Sequence, residues 1–295
     1  MPAITVPPGV EGIAGLTELP DPDWEARWNR IMVPQELKDR LLNYMLFSLL
    51  HRGRIDQVGL PIHGLVVLAG PAGTGKTTLA GGLADRTARE LNDGPLLYVD
   101  IDPHTFPSQL LGESQRSVAR LFERTLPDLA SRGRPMVVLL DEVEALAVSR
   151  SRASLETNPV DVHRATDAVL SGVDRMAKAW PNVTFVATTN YEAGVDAAFL
   201  SRADLVENIG VPGADAVATI LADTIRELTG RDATGEPDLI TLARACSADG
   251  MDARQVRKLV LRTISANRSL ARDPDKLVAA DVLAHYRAVG STAPS

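Results

Sequence analysis

A chain of 295 residues with 45% hydrophobic content carries enough apolar material for one sizeable core and a smaller companion, because domains run to roughly 100–200 residues. Its net charge of −7, from 31 basic against 38 acidic side chains, and its 4% aromatic content disfavour a duplex-DNA binder or a stacking platform for single strands, although a local basic patch stays open. No apolar run approaches the roughly 20 residues of a membrane helix, and the opening MPAITVPPGVEG lacks the charged-then-apolar order of a signal peptide, so a cytoplasmic location without membrane attachment is expected.

Residues 1–22 hold five prolines, Pro2, Pro7, Pro8, Pro20 and Pro22, among Gly9, Gly12 and Gly15. Such a stretch reads as a flexible N-terminal arm. From Trp24 to Arg52, Leu37, Leu41, Leu42, Met45, Leu46, Leu49 and Leu50 recur at helical spacing and form a wide apolar stripe, the pattern of a helix packed on a core. Next comes LVVLAGPAGTGKTT, Leu65 to Thr78: a buried strand, a glycine-rich turn and a helix start. It fits G-x-x-x-x-G-K-[ST], where backbone N–H groups and a helix N-terminus close around phosphate.

The expected nucleotide-binding residues are therefore Gly70, Pro71, Ala72, Gly73, Thr74, Gly75, Lys76, Thr77 and Thr78. Lys76 would reach the β- and γ-phosphates of ATP, and the Thr77 hydroxyl would ligate Mg²⁺.

Downstream, strand and helix signals alternate. LLYVDI (96–101), PMVVLLD (135–141), VTFVATT (183–189) and DLVENI (204–209) are apolar runs, and helical stretches cover about 113–131 and 163–178. Strands buried on both faces and joined by crossover helices make a doubly wound parallel sheet of the α/β class. After Pro212 only helical periodicity remains. The expected organisation is an arm at 1–22, a nucleotide-binding domain at 23–212 and an all-helical lid at 213–295. The single cysteine, Cys246, sits in a helical pattern and reads as a core residue rather than a nucleophile.

VVLLDEVEAL delivers Asp141 and Glu142 to the carboxyl edge of the sheet, where ligands bind in such folds. Asp141 can hold the Mg²⁺ shell, and Glu142 can orient and deprotonate a water for attack on the γ-phosphate. The plainer explanation is the preference of acids for a helix start. Asn190, ending the next strand in ATTN, can contact the γ-phosphate or the attacking water, although asparagine there commonly just makes a turn.

The combination GPAGTGKTT, LLDEVEAL, ATTN and VDAAFLSRADLVENIGVP resembles AAA+ ATPases. DEVEALAVSR, NPVDVHRATDAVLSGVD and the single-arginine SRAD resemble in particular the pachytene-checkpoint family, which remodels HORMA-domain proteins. The resemblance implies catalytic roles for Lys76, Glu142, Asn190 as sensor 1, and Arg202 as the arginine finger given to a neighbouring subunit. Arg254 in GMDARQVRKL would be the sensor 2 arginine of the lid, and Phe199 stands where many AAA proteins carry a second arginine.

It also implies a homo-oligomeric ring, a hexamer, whose pore loop would grip the client through Leu110 and Leu111, where the family tends to be aromatic. The alternative for these leucines is a hydrophobic staple at a helix start. A second pore loop is expected within 150–159. The implied partners are a HORMA-domain client and a cyclic-oligonucleotide synthase of bacterial anti-phage defence. A nucleic-acid-directed AAA+ ATPase, a loader or transposition regulator, is the runner-up, and a non-hydrolysing nucleotide-binding scaffold is a third reading.

Overall fold

The structure is a computed structural model that describes residues 12–56, 59–91, 94–103, 113–149 and 159–290. The described chain forms two compact units. One holds the residues up to Gly70 together with Lys76–Ile209, and the other holds Pro71–Gly75 together with the residues from Gly210 onward.

The first unit is built on a six-stranded sheet: β1 (Ile13–Leu19), β2 (Leu65–Ala69), β3 (Leu96–Ile101), β4 (Met136–Leu140), β5 (Val183–Thr189) and β6 (Leu205–Asn208). Its spatial order is β1-β3-β4-β5-β2-β6. All neighbours are parallel except β1, which runs antiparallel to β3. The doubly wound α/β reading holds, with an antiparallel edge strand added.

The strands read as unbroken apolar runs because both faces are covered. In β4, Met136, Val138 and Leu140 enter one apolar cluster while Val137 and Leu139 enter another. Alternate side chains of one strand therefore serve opposite layers.

The N-terminal expectation needs correction, since residues 13–19 are not part of a loose arm. Ile13, Leu16 and Leu19 are buried, and the strand pairs with β3 from Leu19 opposite Leu96 to Ile13 opposite Ile101, with an irregularity between Ile13 and Gly15. Surrounding glycines and prolines hide the apolar spacing, and only a partner strand gives it a hydrogen-bonding role.

The stripe after Trp24 also divides. Helix α1 (Pro22–Asn29) is capped by Asp21, and helix α2 (Gln35–His51) begins after Pro34, whose ring cannot continue a helix from upstream. Helix α3 (Lys76–Leu91) follows the phosphate loop.

The predicted helix over 113–131 is three segments: α4 (Glu113–Arg120), a π-helical turn (Leu121–Thr125) and α5 (Leu126–Ala130). Beyond β4 come α6 (Pro159–Ala179) and the short α7 (Ala197–Leu200). Phe199 on α7 is fully buried. An arginine there would place a charge in the apolar core.

The second unit contains α8 (Ala214–Thr229), α9 (Pro237–Ala248), α10 (Ala253–Ala266), α11 (Arg268–Arg272) and α12 (Ala279–Gly290). Val217, Leu221, Ile225, Leu242, Val256, Val260 and Val282 are buried in it. Cys246 is buried among them, and burial pushes its thiol up to about 11, so at neutral pH it is an inert apolar side chain. Pro71–Gly75 group with these helices rather than with the sheet.

Candidate nucleotide site

Parallel pairing sets Ala69 opposite Thr189 and Leu140 opposite Ala187. The carboxyl ends of β2, β4 and β5 consequently lie side by side, and each delivers one functional segment. Gly70, leaving β2, has φ +141, and a Cβ there would stand 2.2 Å from the Ile209 carbonyl oxygen. Only glycine fits this approach.

Lys76 opens α3 and is almost wholly buried. Its ammonium donates to the Gly70 carbonyl at 2.7 Å and to Asn190 Oδ1 at 2.8 Å. Burial lowers its pKa, opposed by the nearby charges of Glu144, Asp141 and Glu142. The site thus sets one desolvated cation against three carboxylates, a pattern suited to receiving a polyphosphate with a divalent cation.

The acids are fixed by the next strand. The Thr77 hydroxyl donates to Asp141 Oδ1 at 2.9 Å, and the Thr188 hydroxyl donates to the same oxygen. Thr188 Oγ1 in turn accepts the Glu142 N–H at 3.0 Å.

Glu142 lies in the left-handed region, φ 48 and ψ 51, the one non-glycine residue among those described with positive φ. Such a conformation is worth roughly 1 kcal/mol or more of strain for a side-chain-bearing residue. Here Thr188 holds it, and the carboxylate meets Asn190 Nδ2 at 3.1 Å. The Asn190 N–H donates to Glu144 Oε1 at 3.0 Å, while Glu144 Oε2 is buried with no hydrogen-bond partner among the described residues.

Thr77 and Asp141 bring hard oxygen donors to one point, the chemistry Mg²⁺ selects. The residues present fit that ion.

Lys76, Thr77, Asp141, Glu142 and Asn190 therefore form one hydrogen-bonded cluster. Thr78 is half-buried on α3.

Arg202 stands apart from that cluster. Its guanidinium is held by Asp174 through Nε at 2.7 Å and Nη2 at 2.8 Å, and by the Ala198 carbonyl through Nη1 at 2.8 Å.

In the second unit, the Thr74 hydroxyl donates to the Pro71 carbonyl at 3.0 Å, and Pro71 and Ala72 are exposed. Gly73, φ +82, faces Asp252, whose carboxylate carbon a Cβ would approach to 2.5 Å. Asp252 is the N-cap of α10, in a capping box with Gln255. Arg254 lies exposed in the first turn of α10. Leu110, Leu111 and most of the expected second pore loop lie outside the described residues.

Thr188, Glu144 and Asp174 escape the sequence reading as individual contributors. A threonine in a central strand looks like ordinary β-former content. Glu144 is two residues past the obvious acid pair, and Asp174 lies mid-helix, 28 positions from its partner.

Compared with known proteins, residues 66–211 match the model of the "ATPase family associated with various cellular activities (AAA)". Over 274 residues the chain is 41% identical to CD-NTase-associated protein 6 of Pseudomonas aeruginosa, covering 90% of this chain and 88% of that protein. It is 33% identical over 226 residues to the putative pachytene checkpoint protein 2 of Caenorhabditis elegans, 75% of this chain but 53% of that protein. Among solved structures, a chain of the E. coli MS115-1 HORMA:CdnC:Trip13 complex superposes with a TM-score of 0.80 at 22% identity, over 98% of this chain and 99% of that one. C. elegans PCH-2 superposes with a TM-score of 0.69 at 24% identity, over 94% of this chain and 75% of that one. At those identities the two structures speak for the fold.

Proposed function

The chain belongs to the AAA ATPases, in the family of CD-NTase-associated protein 6 and the pachytene checkpoint proteins, and we propose that it hydrolyses ATP with Mg²⁺, as a hexameric ring of its own copies, to remodel a HORMA-domain protein. The observation that carries this reading is the Lys76–Asn190–Glu142 chain of hydrogen bonds beside the Thr77–Asp141 pair. A scaffold that only bound nucleotide would have no use for a strained glutamate aimed at a sensor amide.

On binding ATP, Lys76 exchanges the Asn190 carbonyl for phosphate oxygens, which frees the amide to help place a water. Glu142 accepts that water's proton as its oxygen attacks the γ-phosphorus, the bond to the β,γ-bridging oxygen breaks, and ADP leaves with that oxygen. Thr77 and Asp141 would hold Mg²⁺, which offsets negative charge on the phosphates. Arg202 would meet a neighbouring subunit's nucleotide, and Arg254 would report nucleotide state from the helical unit, acting as the lid.

The HORMA client and an association with a nucleotide-signalling synthase in anti-phage defence rest on the named relatives. Affinity capture with Glu142→Gln, which retains ATP and hence its client, tests them. Recovery of a HORMA-domain protein is expected. Hydrolysis stimulated by DNA, with no such protein recovered, would move the function to the nucleic-acid-directed class. Action of Arg202 in trans has its own test. Mixing inactive Arg202→Ala with inactive Glu142→Gln subunits should restore part of the hydrolysis, and mixtures that exchange subunits yet never exceed either parent would exclude it.

A further inference from the structure

Resting on the assignment of Arg202 as the trans-acting arginine, we propose that Asp174 is its positioning residue: it holds the guanidinium by one edge so that the other edge stands ready for a phosphate. Asp174 lies on α6 and Arg202 follows α7, so the pair joins two elements of the same unit.

The geometry divides the guanidinium by function. Asp174 takes the side-on fork, with Oδ1 on Nε at 2.7 Å and Oδ2 on Nη2 at 2.8 Å, while the Ala198 carbonyl takes one N–H of Nη1 at 2.8 Å. Three of the five N–H groups are thereby engaged. One N–H on each terminal nitrogen is left without a hydrogen bond among the described residues, and these two remain for a second acceptor on the side away from Asp174. A planar guanidinium can bind two bidentate partners at once, one on each edge, which an ammonium cannot.

Its backbone is fixed independently. The Arg202 N–H donates to the Phe199 carbonyl at 3.1 Å, and Phe199 is buried in the core. Two residues on, the Asp204 carboxylate accepts the Leu65 N–H at 3.0 Å, the His63 N–H at 3.2 Å and the Tyr44 hydroxyl. The segment is thus pinned to the amino end of β2, and the Arg202 side chain is the part still needing an anchor.

The Arg202 side chain is 24% exposed and that of Asp174 43%, so the pair sits at the surface, where a partner's nucleotide can arrive. His63 Nε2 stands 3.5 Å from Asp174 Oδ1 and limits the rotamers the carboxylate can adopt. The hydrogen bonds that Arg202 donates to Asp174 raise the Arg202 pKa, so the cation is firmly charged.

An arginine left free would have to lose its rotamer freedom each time it closed on a phosphate. One already held loses little, so Asp174 acts on turnover rather than on ATP affinity.

The test is steady-state hydrolysis by the full-length assembled protein against ATP concentration for Arg202→Ala, Asp174→Ala, Asp174→Glu and the double Asp174→Ala/Arg202→Ala variant. For Asp174→Ala, kcat should fall on the order of tenfold, with KM and melting temperature unchanged. Asp174→Glu should recover part of the loss, and the double variant should match Arg202→Ala alone, because Asp174 works only through that arginine. An additive loss in the double variant, or a rise in kcat on removing Asp174, would overturn the positioning role. Wild-type kcat in Asp174→Ala with a crippled Arg202→Ala would sink this inference alone. Wild-type kcat in Arg202→Ala would sink the arginine-finger assignment beneath it.

Discussion

Two buried cations occupy opposite ends of the same sheet, and they are satisfied in opposite ways. Arg52, at the amino end, is 1% exposed and donates to four backbone carbonyls: His63 at 2.7 Å, Trp180 and Pro181 at 3.1 Å, and Val183. Lys76, at the carboxyl end, is 5% exposed, and among its partners are the Gly70 carbonyl and the side chain of Asn190.

Backbone carbonyls cannot turn aside without moving the main chain that leads into β2 and β5, whereas an asparagine amide can turn aside for a phosphate. Main-chain acceptors on both terminal nitrogens mark a structural cation, and a replaceable side-chain acceptor marks a functional one.

That contrast breaks most visibly if each cation is removed in turn. Lys76→Ala should weaken nucleotide binding and reduce hydrolysis by about 10²-fold or more at an unchanged melting temperature, since a desolvated charge is lost with it. ATP binding by calorimetry and a thermal melt on the same sample check this. Glu142→Gln should lose about 10²-fold in kcat yet keep its ATP affinity, which separates the acid's chemistry from the lysine's binding. Normal turnover would remove Glu142 from the mechanism.

Arg52→Met should do the reverse of Lys76→Ala. Stranding buried carbonyls costs about 1–3 kcal/mol for each group left unsatisfied, so a melting temperature lower by roughly 5–10 °C is expected, with kcat per folded molecule near wild type. A variant that melted normally but hydrolysed poorly would abolish the distinction between the two cations.

Thr188→Val sharpens the picture at the carboxyl end. It preserves shape but removes the hydroxyl that joins Asp141 to the strained Glu142 backbone, so kcat should drop roughly tenfold with a stability change of about 1 kcal/mol.

The smallest expected effect concerns Asp100, raised to about 6 by burial, with Asp141 and Asp102 adding to the shift. A carboxyl whose folded pKa lies above its ordinary value binds its proton more tightly when folded, so stability falls as pH rises through about 4 to 6 and the penalty is complete above that. Asp100→Asn should therefore raise the melting temperature of the nucleotide-free protein at pH 8 and leave it unchanged near pH 4. Equal effects at both pH values would exclude this origin.

The amino-acid order by itself carried the parallel sheet, the phosphate loop, and the placement of Asp141, Glu142 and Asn190 at strand ends. Those signals are local: apolar runs, glycine spacing, and an acid or amide immediately after a strand. What only the tertiary structure decided depends on partners far along the chain. Residues 13–19 became an edge strand because β3 offers a ladder. The stripe after Trp24 became two helices around Pro34, and Pro71–Gly75 grouped with helices that begin beyond Gly210. Glu142 sits in a left-handed turn secured by Thr188, 46 positions away, and Asp174 met Arg202 only once α6 and the segment after α7 had packed. Hydrogen-bonded polar pairs leave no periodic trace in sequence. Their partners are selected by the register of the strands and helices that carry them, and that register exists only after the core has closed.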